Sequence, residues 1–313
     1  MSRSTFVWLI GGIGIYTAGA VAALVSGMFP AEDVIFALLF LGLGFPLIAW
    51  VSTIRAKRLE VEIEPETAEI VFILAYVLFV AVYLVFGTSV VDAMIPADWR
   101  ASPQIYSVVT LVKKLLVFVA VPLAVSRYAF GRPLSTFGIQ MSSLHELRRS
   151  HLSVVLFVSA AMLAFQYFLG NGALPIREGK FNAAQLAVAL PLSFVWLLIE
   201  VGLVEEFFFR GLLQSRFAAY FKSEMAGIVL MAAVFGLAHV PGFILRQSGV
   251  NDDLGTAPSV LASIGYSLSV IAVGGLMFGV VWMRTKNLFA LMIIHAATDL
   301  LPNLSEFVNT WKI

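Results

Sequence analysis

Glu205, Glu206 and Arg210 fall in the stretch Val204-Glu205-Glu206-Phe207-Phe208-Phe209-Arg210, one of the most apolar parts of the chain. A charge in hydrocarbon costs ~2.5 to 3.5 kcal/mol on insertion scales unless it is paired or lines a cavity. At about 3.6 residues per helical turn, Glu206 and Arg210, four apart, share a face and can form an ion pair, while Glu205 is rotated aside. The spacing gives Glu206 a neutralised, structural role and leaves Glu205 free to act as a general base.

The chain holds four histidines. His145 and His151 border a basic loop, where solvated or interfacial roles suffice. His239 and His295 lie inside apolar runs downstream of the glutamates. Phe235-Gly236-Leu237-Ala238-His239 puts an aromatic ring one turn before the first, and Pro241-Gly242 is expected to end that helix. His295-Ala296-Ala297-Thr298-Asp299 puts a carboxylate one turn after the second, where a hydrogen bond would fix the tautomer.

Cysteine is absent, which removes disulfides, thiolate nucleophiles and cysteine-ligated metals. Ser215 and Ser267 are not set beside a histidine by any motif. The economical chemistry is hydrolysis by water. Glu205, helped by His239, takes the proton of a water attacking a peptide carbonyl, and His295 and Asp299 donate to the developing oxyanion. An ionised aspartate accepts hydrogen bonds, so Asp299 must either be protonated or act by holding His295. Zinc is the competing use of these side chains, but the H-E-x-x-H helix of zinc proteases is missing, and the expectation is no cofactor and no metal. A transporter with Glu205 in a proton relay is the alternative outside hydrolysis.

What positions these groups is a membrane protein. Of 313 residues 60% are hydrophobic and 12% charged, with mean hydropathy +0.94, against roughly 25% charged in soluble domains. Lys plus Arg (20) nearly balances Asp plus Glu (19), so net charge points to no nucleic-acid partner. Crossing ~30 Å of hydrocarbon takes about 20 residues. Nine runs qualify as helices, near 6–29, 34–54, 70–86, 107–126, 152–169, 186–209, 225–240, 260–283 and 288–303, two of them short enough to be partial or re-entrant. The first exceeds the ~7 to 15 residues of a signal-peptide core and reads as a retained helix. The expected fold is all-α, a multi-pass transmembrane bundle of about eight to nine helices with a polar cavity in its C-terminal half. Residues 1–150 carry no motif, and 151–313 form the catalytic core.

With a cytoplasmic N-terminus, the inner segments hold Arg3, Arg55, Lys57, Arg58, Arg127, Arg132, Arg148, Arg149, Arg210, Arg216, Lys222, Arg284 and Lys286. The outer segments hold Arg100, Arg177, Lys180, Arg246 and Lys312, and this thirteen-to-five bias sets the N-terminus inside and the C-terminus outside a cytoplasmic membrane. Leu144-His145-Glu146-Leu147-Arg148-Arg149 reads as an amphipathic helix anchoring to anionic lipid. Lys113-Lys114, inside a helix, reads as snorkelling, as pairing with a neighbouring acid, or as part of a substrate path. For Glu205 and His239 to share a water, the glutamate helix must continue past Arg210 toward Phe221 after a bend at Pro191, and 225–240 must end mid-membrane.

Taken together, Glu205-Glu206 with Arg210, Phe235 with His239, and His295 with Asp299 resemble the CAAX protease and bacteriocin-processing family of glutamic-type intramembrane endopeptidases. The pattern there is E-E-x-x-x-R, F-x-x-x-H and H-x-x-x-N in that order, and the resemblance spans roughly Phe194 to Asn303. It implies that Glu205 and His239 activate water and that His295 and Asp299 form the oxyanion hole. It also implies a membrane-associated or lipidated peptide or protein as substrate, met at the lipid bilayer. Asp299 stands where the prenyl endopeptidases carry asparagine. A non-catalytic scaffold or bacteriocin-immunity protein of the same fold is a further alternative.

Overall fold

The computed structural model describes residues 3–245 and 258–313, so that Arg246 of the outer-segment count lies outside it. The described residues are helical and contain no strand. Seven helices are long and apolar enough to span a membrane: α1 (Arg3–Val25), α2 (Ala31–Ser52), α3 (Thr67–Met94), α4 (Pro103–Tyr128), α7 (Ala183–Tyr220), α8 (Glu224–Leu245) and α9 (Val260–Thr285). Two bent pairs raise the count to nine: α5 (Met141–Arg149) with α6 (Leu152–Phe168), bent by 70°, and α10 (Leu288–Asp299) with α11 (Leu304–Trp311), bent by 83°. The protein is a multi-pass membrane helical bundle, and every expected apolar run has its helix.

Helix starts follow local chemistry. Ser102 precedes Pro103 and accepts from the Ile105 N–H at the head of α4. Asn182 and Gln185 form a reciprocal capping box that opens α7. Ser223, Ser259 and Asn287 cap α8, α9 and α10.

Three expected boundaries differ. The glutamate helix does not stop at 209; α7 runs 38 residues to Tyr220, in line with the expected continuation past Arg210 toward Phe221. Arg210 and Arg216 are therefore buried helix residues rather than inner-loop charges. Pro241 does not end its helix: a turn at 238–239 interrupts α8, and Val240–Leu245 resumes with the proline in its first turn, where a missing N–H is harmless. The last run breaks after Asp299, with turn residues before α11.

The chain divides into two compact units. The first comprises 1–51, 62–90 and 212–284, drawing on α1 to α3, the end of α7, α8 and α9. Small residues let its helices touch: a Cβ on Gly265 would run into the backbone of Ala23, drawing α9 onto α1. Tyr16 Oη donates to Val229 O at 3.0 Å, Trp282 Nε1 to Ser215 Oγ at 3.0 Å, and Arg216 Nε to Glu69 Oε1 at 3.2 Å.

The second unit comprises 52–61, 91–211 and 285–313, with α4 to α6, the first part of α7, α10 and α11. Within it α10 packs on α6 and on the 198–203 stretch of α7. Gly202 makes that packing possible, since a Cβ there would sit 2.7 Å from Met292 O. Gly202 lies three residues before Glu205 and Met292 three before His295, so the same close approach brings the two motifs level.

Candidate active site

Along α7 the backbone leaves α geometry for π turns at Leu198–Leu203 and again at Glu206–Gln214. Four other described stretches do likewise, so a π turn does not by itself mark the site. Three phenylalanines hold the segment in place. Phe207 stacks on Phe137 at 5.1 Å, Phe208 meets Phe118 of α4 edge-on at 5.2 Å, and the Phe209 ring lies 6.0 Å from the Arg210 guanidinium.

Arg210 Nη1 donates to Glu206 Oε1 at 3.0 Å, joining the two residues four apart. The same oxygen receives a second donor, His295 Nδ1, at 2.5 Å. A carboxylate has nothing to donate here, so the proton of this contact is carried by Nδ1 and the imidazole turns Nε2 away from Glu206. That nitrogen faces Glu205, 3.8 Å from its Oε2. Exposure separates the two acids: Glu206 is 0% exposed, whereas the Glu205 side chain is 19% exposed. Glu206 Oε2 is buried without a hydrogen bond. His295 thus bridges two carboxylates 89 or more residues upstream. Sequence spacing had pointed to Asp299 as the acid that orients His295, but its Nδ1 contact goes to Glu206.

Asp299 is the last residue of α10 and partly buried. It lies within electrostatic range of His295, Glu205, Glu200 and Lys114, and its backbone carbonyl accepts from Asn303 Nδ2 at 2.9 Å. Glu200, one turn before Glu205 on α7, was missed from the sequence. It forms an ion pair with Lys114 of α4, while Lys113 pairs with Asp92, which also accepts from Tyr106 Oη at 2.8 Å. The adjacent lysines thus each pair with an acid. The rule that singles out Glu205, a carboxylate in an apolar run, applies equally to Glu200.

His239 and Phe235 belong to the first unit. Phe235 is buried, and His239, in the turn that interrupts α8, contacts it twice: Nδ1 donates to the Phe235 carbonyl at 2.8 Å and the rings meet edge-on at 4.9 Å. The carbonyl holds the proton on Nδ1 and leaves Nε2 as the basic nitrogen. Of the remaining histidines, His145 is exposed, but His151 is fully buried, contrary to the solvated role its loop position suggests. Among the described residues no three histidine, aspartate or glutamate side chains are grouped so as to hold a metal ion.

No curated protein and no solved structure matches the chain. Residues 187–301 match the family model described as Rce1-like, type II CAAX prenyl endopeptidase Rce1-like. That stretch contains all three motifs, and over it the chain is similar to this family of CAAX endopeptidases.

Proposed function

We propose that the protein is a glutamic-type intramembrane endopeptidase that hydrolyses a peptide bond of a membrane-associated or lipidated protein, with residues 151–313 as its catalytic core. The observation that carries this reading is the Glu205–His295–Glu206–Arg210 cluster in apolar helices. Glu205 is the general base: it is the more exposed acid, and a water ~2.8 Å from both its Oε2 and His295 Nε2 completes a triangle on their 3.8 Å separation. Glu206 orients His295 as a positioning residue, and Arg210 balances the charge of Glu206. With imidazolium at His295, the two carboxylates and two cations sum to zero, and Nε2–H is a donor for the oxyanion. His239, with Nε2 basic, assists in activating water. Asp299 completes the oxyanion pocket when it carries a proton. No metal or other cofactor takes part in this scheme, the membrane is the cytoplasmic one, and the N-terminus lies inside.

The test is cleavage of a farnesylated C-terminal reporter peptide by purified protein in liposomes, beside the same peptide without the lipid. In parallel, terminal-peptide mass spectrometry compares membrane proteomes of wild-type and Glu205→Ala strains. Loss of specific termini in Glu205→Ala and His239→Ala, with normal insertion, is expected. Unchanged processing in both variants rejects the proposal and leaves a non-catalytic scaffold of the same fold. The intramembrane pairs Lys113–Asp92 and Lys114–Glu200 favour a second reading, a proton relay serving transport. It requires proton-coupled flux in the same liposomes.

A further inference from the structure

His151 sits at the 70° break between α5 and α6 and is fully buried, as are Asn287, Ser143 and Thr285 around it. Its Nε2 is 2.7 Å from Lys57 O and its Nδ1 2.8 Å from Asn287 Nδ2. Asn287 is the N-cap of α10, the helix that carries His295 and Asp299. Its Oδ1 accepts from the Phe289 and Ala290 N–H groups at 3.1 and 3.3 Å. Its Nδ2 also donates to Ser143 O at 2.8 Å.

These contacts leave one arrangement of protons. Two backbone donors fix Oδ1, so the amide cannot be flipped, and Ser143 O can only accept. Both Nδ2 hydrogens are then spoken for, one by Ser143 O and one by His151 Nδ1, which must be unprotonated. The ring proton therefore sits on Nε2 and is given to Lys57 O. Leu59 N donates to Thr285 O at 3.0 Å, tying the same 52–61 segment to the residues just before α10.

We infer that His151 and Asn287 form a positioning device for α10, locked while His151 is neutral and released when acid protonates it. A proton on Nδ1 would set two N–H donors against each other across 2.8 Å. Asn287 could relieve that clash only by giving up its caps at Phe289 and Ala290. The charged residues facing the ring are Glu146 from α5 and Lys57 from the 52–61 segment; the start of α10 meets it with the uncharged Asn287. Glu146 is itself held by Lys57 Nζ at 3.1 Å and Ser150 Oγ at 2.8 Å.

The junction does not depend on the proteolytic reading; its effect on His295 chemistry does.

Nitrogen spectra of full-length protein labelled with ¹⁵N-histidine in bilayers test it, with the His151 signal identified by its loss in His151→Gln. At about pH 7.5, above the ordinary ~6.5, the wild-type ring is expected neutral with its proton on Nε2. Asn287→Asp keeps an acceptor for Phe289 and Ala290 but offers His151 a carboxylate, so titration of the ring is expected to rise by roughly 1 to 3 units. A proton on Nδ1 of the neutral ring, a charged wild-type ring at about pH 7.5, or an unmoved titration in Asn287→Asp overturns the proposal. Should Asn287→Asp fail to fold, the wild-type spectrum still decides. Cleavage of the farnesylated reporter adds the functional arm: the carboxylate of Asn287→Asp accepts from a protonated ring where the amide could not, so the acid loss of kcat due to His151 is expected to disappear in that variant with KM unchanged. If Glu205→Ala also cleaves normally, the proteolytic reading falls while the spectra still judge the junction.

Discussion

Helix α7 carries two buried arginines six residues apart, each bound to a glutamate, and the two pairs are built differently. Arg216 with Glu69 joins α7 to α3 in the first unit, both side chains at most 1% exposed. Arg210 with Glu206, in the second unit, is equally buried, but its carboxylate is shared with His295, and one of its oxygens has no hydrogen bond. A second acid, Glu205, stands beside it, partly open. The first pair links an arginine to a glutamate across two helices. The second joins a network with a partly open carboxylate at its edge, an arrangement that suits acid and base chemistry.

The largest separation between the two comes from the reacting groups. Glu205→Gln and His295→Ala are each expected to lower reporter cleavage by roughly 100- to 10,000-fold, the range for lost acid–base catalysis, with unchanged melting in detergent for the partly open Glu205 and lowered melting for His295, whose loss removes a donor to buried Glu206. Cleavage retained within tenfold by both would erase the distinction (~1.4 kcal/mol).

Next in size is the fate of a stranded charge. Arg216→Ala removes the buried guanidinium that Glu69 Oε1 accepts from and is expected to cost about 3 to 5 kcal/mol, read as a fall in melting temperature and in the folded yield. The double change Glu69→Leu with Arg216→Met is expected to recover most of that stability and keep cleavage. Glu206→Leu with Arg210→Met should also fold yet fail to cleave. If both doubles behave alike, the contrast between the pairs is wrong.

How much of this could be read from the chain depends on the reach of each rule. Apolar runs of about 20 residues are local, and among the described residues they locate the seven long helices and the two bent pairs. The Glu206–Arg210 pair is local too, because four residues make one turn. The Glu206–His295 bond spans 89 residues and depends on α10 closing on Gly202, which no periodicity reports. The i,i+4 rule accordingly assigned His295 to its nearest acid, Asp299. His151 was misjudged for the same reason: its loop looks solvated until the start of α10 is folded against it. Lys114 and Glu200 are visible as charge anomalies, but their partnership is tertiary.

Gly202→Ala has a smaller expected effect. The new methyl meets Met292 O and forces α10 away from α7, at about 1 to 3 kcal/mol for overpacking. Cleavage should fall more than melting temperature does, since the displacement lies beside the Glu205–His295 gap. The smallest change is Asp299→Asn, which supplies the amide carried by the prenyl endopeptidases. Cleavage is expected to stay within about tenfold of wild type, tilted upward, and to lose any pH dependence due to the carboxyl group. A collapse of activity would instead assign Asp299 a role that needs its charge.

The 38 residues of α7 have a consequence for the bilayer itself. At up to ~1.5 Å each, and less through the π turns, they exceed the about 39 Å of helix that a ~30 Å hydrocarbon slab crossed at a tilt of up to ~40° accommodates. Part of α7 must therefore project beyond the lipid tails. Membrane thickness decides how that overhang is divided between the two ends, and hence how far water must travel to reach Glu205. Thin and thick lipid mixtures should set different rates for the same protein, making the host membrane a determinant of its activity.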